Sequence, residues 1–166
     1  MEVNPYLVSD SSPIIIFARS NNLSILKAVV GCLIIPRAVY AEVVEEGKGF
    51  RETEEIKKAS WIKVGYVEAS EEMDALPRNL GGGEKEAIIL AKKLNIPILL
   101  DDLRTRKEAK RQGLKVVGSL SIIYIAKRKG LISSAKELLD LLIESGYYLS
   151  NTLYYTFLKE MGELNQ

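Results

Sequence analysis

The sequence predicts an α/β fold, a three-layer sandwich in which a central parallel sheet lies between layers of helices, with extra helices at the C-terminal end. Three observations carry that prediction. Short, almost continuous apolar runs such as Tyr6-Leu7-Val8-Ser9, Cys32-Leu33-Ile34-Ile35 and Ile98-Leu99-Leu100 alternate with longer stretches of helical periodicity, and strands of that kind are buried on both faces. With 166 residues and 47% hydrophobic content, the chain suits a single domain, which at this size buries roughly 70% of its unfolded surface. Several of the apolar runs end at acids, so carboxylates fall at the carboxyl ends of strands, where open α/β sheets bind their ligands.

Each element has its own justification. Tyr6 to Ser9 reads as a buried strand ending at Asp10, and Ser11-Ser12-Pro13 supplies a cap and a first-turn proline for a helix over Ile14 to Arg19. Leu23 to Val30 is a second helix and Cys32 to Ile35 a second strand, with Cys32 expected as a small buried hydrophobe. Pro36 opens a helix that runs to Glu46 and stops at Gly47. On it Glu42 projects about 60° from Val39 and about 100° from Val43, on the edge of the apolar stripe. A polar helix over Arg51 to Ala59 leads to a third strand, Trp61 to Val67, and Ser70-Glu71-Glu72-Met73 starts a short helix.

Gly81-Gly82-Gly83 then breaks the chain as a hinge before a helix over Glu84 to Leu94, whose apolar stripe is Ala87, Leu90, Ala91 and Leu94. Without a following Lys-Ser/Thr the glycine run is not a phosphate-binding loop. Asn95-Ile96-Pro97 closes that helix, and Ile98 to Leu100 forms a strand ending at Asp101-Asp102. Lys115 to Val117 is the last strand, followed by helices over Leu120 to Lys129, Ser134 to Glu144 and Ser150 to Met161. Serines stand at the N-caps of the last two helices and Gly146 and Gly162 at their ends.

Composition removes several chemistries. The chain has no histidine and one cysteine, so histidine-based acid–base relays, zinc knuckles and disulfide frameworks are absent. Its longest uncharged stretches, such as Ala28 to Pro36 and Gly118 to Ala126, are about half the ~20 apolar residues of a membrane span. No membrane association is expected, and a cytoplasmic location is. Net charge is +1, so any polyanion must be gripped locally. A local basic tract exists: Arg104, Arg106, Lys107, Lys110, Arg111 and Lys115 begin two residues after Asp102, and of these Arg104, Arg106, Lys107 and Arg111 are candidate phosphate and nucleic-acid contacts.

What remains is carboxylate chemistry. Asp10, Glu42, Glu84 and Asp102 are remote in sequence but placed where the fold brings them to one crevice. Crowded carboxylates repel one another and raise each other's pKa unless a divalent cation is present, so such a cluster makes sense with Mg²⁺ or Mn²⁺. The cation would activate a water and neutralise charge on a phosphoryl oxygen.

These residues resemble the PIN-domain ribonucleases, particularly the toxin-like group related to VapC. Val8-Ser9-Asp10-Ser11-Ser12-Pro13 is similar to the family's strand-then-acid opening, and Ile35-Pro36-Arg37-Ala38-Val39-Tyr40-Ala41-Glu42 to its proline-opened helix with a second acid. Gly83-Glu84-Lys85-Glu86-Ala87-Ile88, followed by Ile98-Leu99-Leu100-Asp101-Asp102, is similar to the third acid on a helix and the fourth after the next strand. The resemblance covers Leu7 to Gly130, with the helices of 131–166 outside it. It implies a PIN-like fold and divalent-metal-dependent cleavage of RNA. It further implies that Asp10, Glu42, Glu84 and Asp102 are the catalytic and metal-binding acids and that Ser12 orients Asp10 or a water. A small antitoxin partner and a homodimer are common companions of that group.

Two positions depart from the pattern. The third acid is Glu rather than the more usual Asp, with Glu86 as a rival to Glu84, and Asp101 competes with Asp102 at the fourth. Spacing and stripe position favour Glu84, and alternation along a strand leaves only one of the adjacent aspartates facing the crevice directly. A non-catalytic PIN-like scaffold that binds RNA or a protein is the alternative function. A phosphoacceptor receiver fits less well because the paired acids come late in the chain, and a haloacid-type phosphatase needs an acid where Ser12 stands.

Overall fold

The computed structural model describes residues 6–47 and 50–164. Five parallel strands form one sheet in the order β3-β2-β1-β4-β5: β1 is Tyr6–Ser9, β2 Cys32–Pro36, β3 Ile62–Gly65, β4 Ile98–Leu99 and β5 Val116–Val117. Register is set by Leu7 against Leu33, Val8 against Ile98, Leu33 against Ile62 and Ile98 against Val116.

Alternation along the strands sorts the apolar side chains onto two faces. Leu7, Leu33, Ile35, Leu99 and Val117 join one buried cluster. On that face lie α1 (Ser11–Arg19), α2 (Leu23–Val30), α3 (Arg37–Tyr40), α4 (Arg51–Lys58) and, after β5, α8 (Ser119–Arg128), α9 (Ala135–Glu144) and α10 (Asn151–Glu160). Val8, Ile98 and Leu100 join the second cluster, with residues of α6 (Gly82–Leu94) and α7 (Leu103–Arg111) and with Met73 of α5 (Glu71–Asp74). Helices thus cover both faces, the predicted three layers. The crossovers β1-β2-β3 run out from β1 on one side and β4-β5 on the other, which makes the boundary between β1 and β4 a topological switch point.

Several boundaries differ from expectation, each for a local reason. The first helix starts at Ser11 with Asp10 at its N-cap position, two residues before Pro13. Gly82 and Gly83 belong to the first turn of α6 rather than to a hinge, and Gly83 is buried because α3 packs there: a Cβ on it would meet Val39 Cγ2 at 3.2 Å. The helix expected from Pro36 to Glu46 is α-helical only to Tyr40 and continues as a π-helix over Ala41–Glu46. Cys32 is half-buried rather than fully enclosed. Asn95 closes α6 in the left-handed conformation (φ 53°, ψ 48°), the role its position predicts.

The last helices are tied to the body through a buried acid. Glu163, 2% exposed, accepts from the Ser134 hydroxyl at 2.8 Å and the Ala135 and Lys136 N–H groups at 2.9 and 3.1 Å, and pairs with Lys127 Nζ at 3.4 Å. Burial pushes its carboxyl up, but these four partners outweigh it and hold the group below its ordinary value.

Candidate active site

The crevice at the switch point is built from ends of elements. Asp10 directly follows β1, and its backbone N–H donates to Leu99 O of β4 at 3.3 Å, which pins it to the sheet's centre. Its side chain is only 7% exposed. Burial drives its carboxyl up to about 6, the adjoining Ser11 N–H opposes this, and Glu84, Glu42 and Asp102 add repulsion. The other three acids proposed from the sequence therefore each lie within electrostatic reach of Asp10.

Each of the other three has a local partner. Glu42, exposed at the start of the π-helical stretch, accepts from Ser11 Oγ at 2.8 Å. Glu84, in the first turn of α6, accepts the Gly81 N–H at 2.7 Å, half of a capping box. Asp102 stands directly before α7 and its Oδ2 accepts both the N–H and the hydroxyl of Thr105 at 2.9 Å. Burial raises the Asp102 carboxyl, but the Thr105 bonds and the Arg104 charge prevail and keep it below its ordinary value. With the side chains so engaged, no group of three acids or thiols among the described residues is set to hold a metal ion. The donors are all hard carboxylate oxygens, the kind Mg²⁺ and Mn²⁺ take, and their mutual repulsion is the charge a dication would neutralise.

The two rivals sit differently. Glu86 Oε2 accepts the Ala38 N–H at 2.8 Å at the start of α3, and it is not among the groups that shift Asp10. Asp101 is half-buried, held by the Ser119 N–H at 2.8 Å and hydroxyl at 2.5 Å. Burial lifts its carboxyl, against the pull of Ser119 and Arg106.

The basic tract is divided. Arg106 donates to Leu100 O at 2.7 Å, bracing the end of β4, and Arg111 forms a two-pronged pair with Glu108 at 2.6 and 3.0 Å. Arg104, whose Nε is 3.9 Å from Asp102 Oδ2, and Lys107 are exposed. Ser12 faces outward and lines, with Asp101, Asp102, Tyr147 and Tyr148, a cavity of about 230 Å³ beside the acids.

Sequence reading missed Ser11, Thr105 and Ser119, the hydroxyls that hold Glu42, Asp102 and Asp101. Two carried a usable signal: Thr105 stands three residues after Asp102, the spacing of an N-cap bond, and Ser11 directly follows Asp10. The Ser119–Asp101 contact spans 18 residues and has no local signature.

A family model described as a PIN domain matches residues 6–163, and the chain belongs to the PIN-domain family. The match runs past Gly130, where the resemblance was expected to end, and takes in α9 and α10.

Among solved structures the chain is similar to a PilT N-terminus domain protein from the hyperthermophilic archaeon Sulfolobus solfataricus P2, at 15% identity and a TM-score of 0.51 over 88% of this chain and 98% of that one. It also matches a domain of a functionally unknown protein from Methanocaldococcus jannaschii DSM 2661, at 25% identity and a TM-score of 0.45, over 68% of this chain and 89% of that one. The first likeness shows the shared fold. No curated protein gives a significant match. No helix among the described residues is long and apolar enough to cross a membrane.

Proposed function

We propose that this chain is a metal-dependent endoribonuclease that hydrolyses RNA phosphodiester bonds with Mg²⁺ or Mn²⁺ held by Asp10, Glu84 and Asp102 and with Glu42 completing the site. One observation carries the reading: an aspartate at the switch point of the sheet is destabilised as an anion, first by its burial and then by three acids from other parts of the chain. With a dication bound, the chemistry supplied is a water of lowered pKa and neutralisation of charge on the phosphoryl oxygens.

The chain's own residues do the positioning. Asp10 is the fixed member, enclosed and pinned through its backbone. Glu42, Glu84 and Asp102 are less buried, and each accepts hydrogen bonds from a neighbour: Ser11, Gly81 and Thr105 respectively. Arg104 and Lys107 present exposed cations on the first turns of α7, where they fit the backbone of an RNA approaching the acids. The described residues act as one domain, since both apolar clusters share the one sheet. A small antitoxin partner and a homodimer are part of this proposal.

Incubation with RNA and Mn²⁺ beside Asp10→Asn tests it. Loss of cleavage in the variant is expected, and equal cleavage by both proteins removes the site. A second reading, a scaffold that binds RNA or protein without cutting, is favoured by the absence of a preassembled group of three donors among the described residues. Calorimetry separates the two: a nuclease binds Mn²⁺ in a manner abolished by Asp10→Asn, and a scaffold shows no such binding.

A further inference from the structure

Beside the acid cluster lies a cavity of about 230 Å³ lined by Ser12, Asp101, Asp102, Leu103, Tyr147 and Tyr148 among others. Its rim is unusual in composition. Leu103 is 78% and Tyr148 87% exposed, two large apolar side chains held in water at the mouth of one small cavity, while Tyr147 beside them is buried. Gly146, at a φ of 110°, turns the chain after α9 and makes this arrangement possible.

We propose that this cavity is a nucleobase subsite: it takes one unpaired base of a single-stranded RNA, stacked on Tyr148 and Leu103, with the base's exocyclic amino group donating to the Asp101 carboxylate. The inference rests on the nuclease reading and adds to it the position and the preference of the base next to the cleavage site.

Charge decides which part of a nucleotide enters. No lysine or arginine is among the residues lining the cavity, and two carboxylates are, so the lining offers acceptors to an amino group and no cation to a phosphate. Each Asp101 oxygen accepts one bond from Ser119 and keeps a second acceptor site, fixed in direction by those bonds. Adenine through N6, cytosine through N4 and guanine through N2 offer an exocyclic amino donor to a carboxylate, whereas the exocyclic groups of uracil are both carbonyl oxygens. Stacking on an exposed ring requires a base out of its helix, which selects single strands.

The test uses the full chain carrying Asp10→Asn, so that RNA is bound and not cut, with fluorescence anisotropy of labelled oligo(A), oligo(C) and oligo(U) in Mg²⁺. Adding Tyr148→Ala should weaken oligo(A) and oligo(C) binding about 5- to 100-fold, Tyr148→Trp should restore it, and oligo(U) should bind more weakly than either from the start. Tyr148 is exposed and in no helix or strand, so the variant keeps the fold. Undiminished affinity in Tyr148→Ala, the result expected if the cavity serves a protein partner, overturns the subsite and leaves the nuclease standing. Equal binding of all three oligomers overturns the amino-group contact, and failure to bind any RNA overturns both readings.

Discussion

Ser11 Oγ donates to Glu42 Oε2 at 2.8 Å, joining the first residue of α1 to the start of the π-helical stretch across 31 positions of sequence. The bond is exposed, so its worth to stability is small. Its worth to the site is directional, because among the described residues Ser11 is the hydrogen-bond donor that holds Glu42 and is itself fixed by its neighbour Asp10. Ser11→Ala should leave the unfolding midpoint within about 1 kcal/mol of the parent and lower the RNA cleavage rate about tenfold, with Ser11→Thr recovering most of it. An unchanged rate in Ser11→Ala would separate Glu42 from the reaction.

The raised carboxyl of Asp10 makes stability depend on pH in a definite direction. The folded chain holds this proton more tightly than the unfolded one, so the group's contribution is complete below 3.8 and is lost as pH rises through about 6. That loss is about 3 kcal/mol. In EDTA, Asp10→Asn should therefore be more stable than the parent at pH 7.5, by about 1–3 kcal/mol, and nearly equal to it at pH 4. Urea titrations at the two pH values check this, and matching midpoints at pH 7.5 would contradict the burial and crowding described for Asp10.

Gly83 separates packing from function. A Cβ there would come within 2.8 Å of Glu42 Oε1 and 3.2 Å of Val39 Cγ2. The Glu42 carboxylate is exposed and swings away, Val39 gives by a few tenths of an ångström, and alanine recovers helix propensity of roughly 0.5–1 kcal/mol. The expected result for Gly83→Ala is a midpoint little changed and a cleavage rate reduced, since Glu42 is displaced from the crevice. Thermal melts alongside cleavage assays measure both, and a large loss of stability with unchanged cleavage would reverse the argument.

Much of this was legible in the chain, for reasons that differ by element. β1, α2 and the N-cap serines of α9 and α10 follow from local patterns whose physics is complete within a few residues. The order of the acids and their placement after β1 and β4 likewise follow from apolar runs that end at Asp10 and Asp101-Asp102. The π-helix at Ala41–Glu46 was not legible, because a uniform 100° projection assumes the winding that changes there. Nor were the partners of the rival acids legible: Glu86 accepts from Ala38 N–H and Asp101 from Ser119, groups 48 and 18 positions away that only the packed chain brings near. Arg106 and Arg111 read as free cations in sequence, and folding gives them Leu100 O and Glu108.

Glu163 offers a test at the far end of the molecule. Its carboxyl is held below the ordinary value, so it contributes stability that is present above 4.5 and is lost as pH falls through the folded value. Glu163→Ala should cost about 3 kcal/mol at pH 7, because Lys127 and the first N–H groups of α9 lose a buried partner together. The gap between variant and parent should narrow at pH 3 in urea denaturation. A gap that persists there would show that packing, not charge, is what Glu163 supplies.

Three of the four acids share a placement whose consequence reaches beyond positioning: Asp10 immediately precedes α1, Glu84 lies in the first turn of α6, and Asp102 immediately precedes α7. Three helix macrodipoles thus end at one crevice, each with its partial positive pole toward an anion. Part of the repulsion is offset by the backbone itself. Positive charge at this crevice is thus supplied by backbone N–H groups, while its side chains supply negative charge.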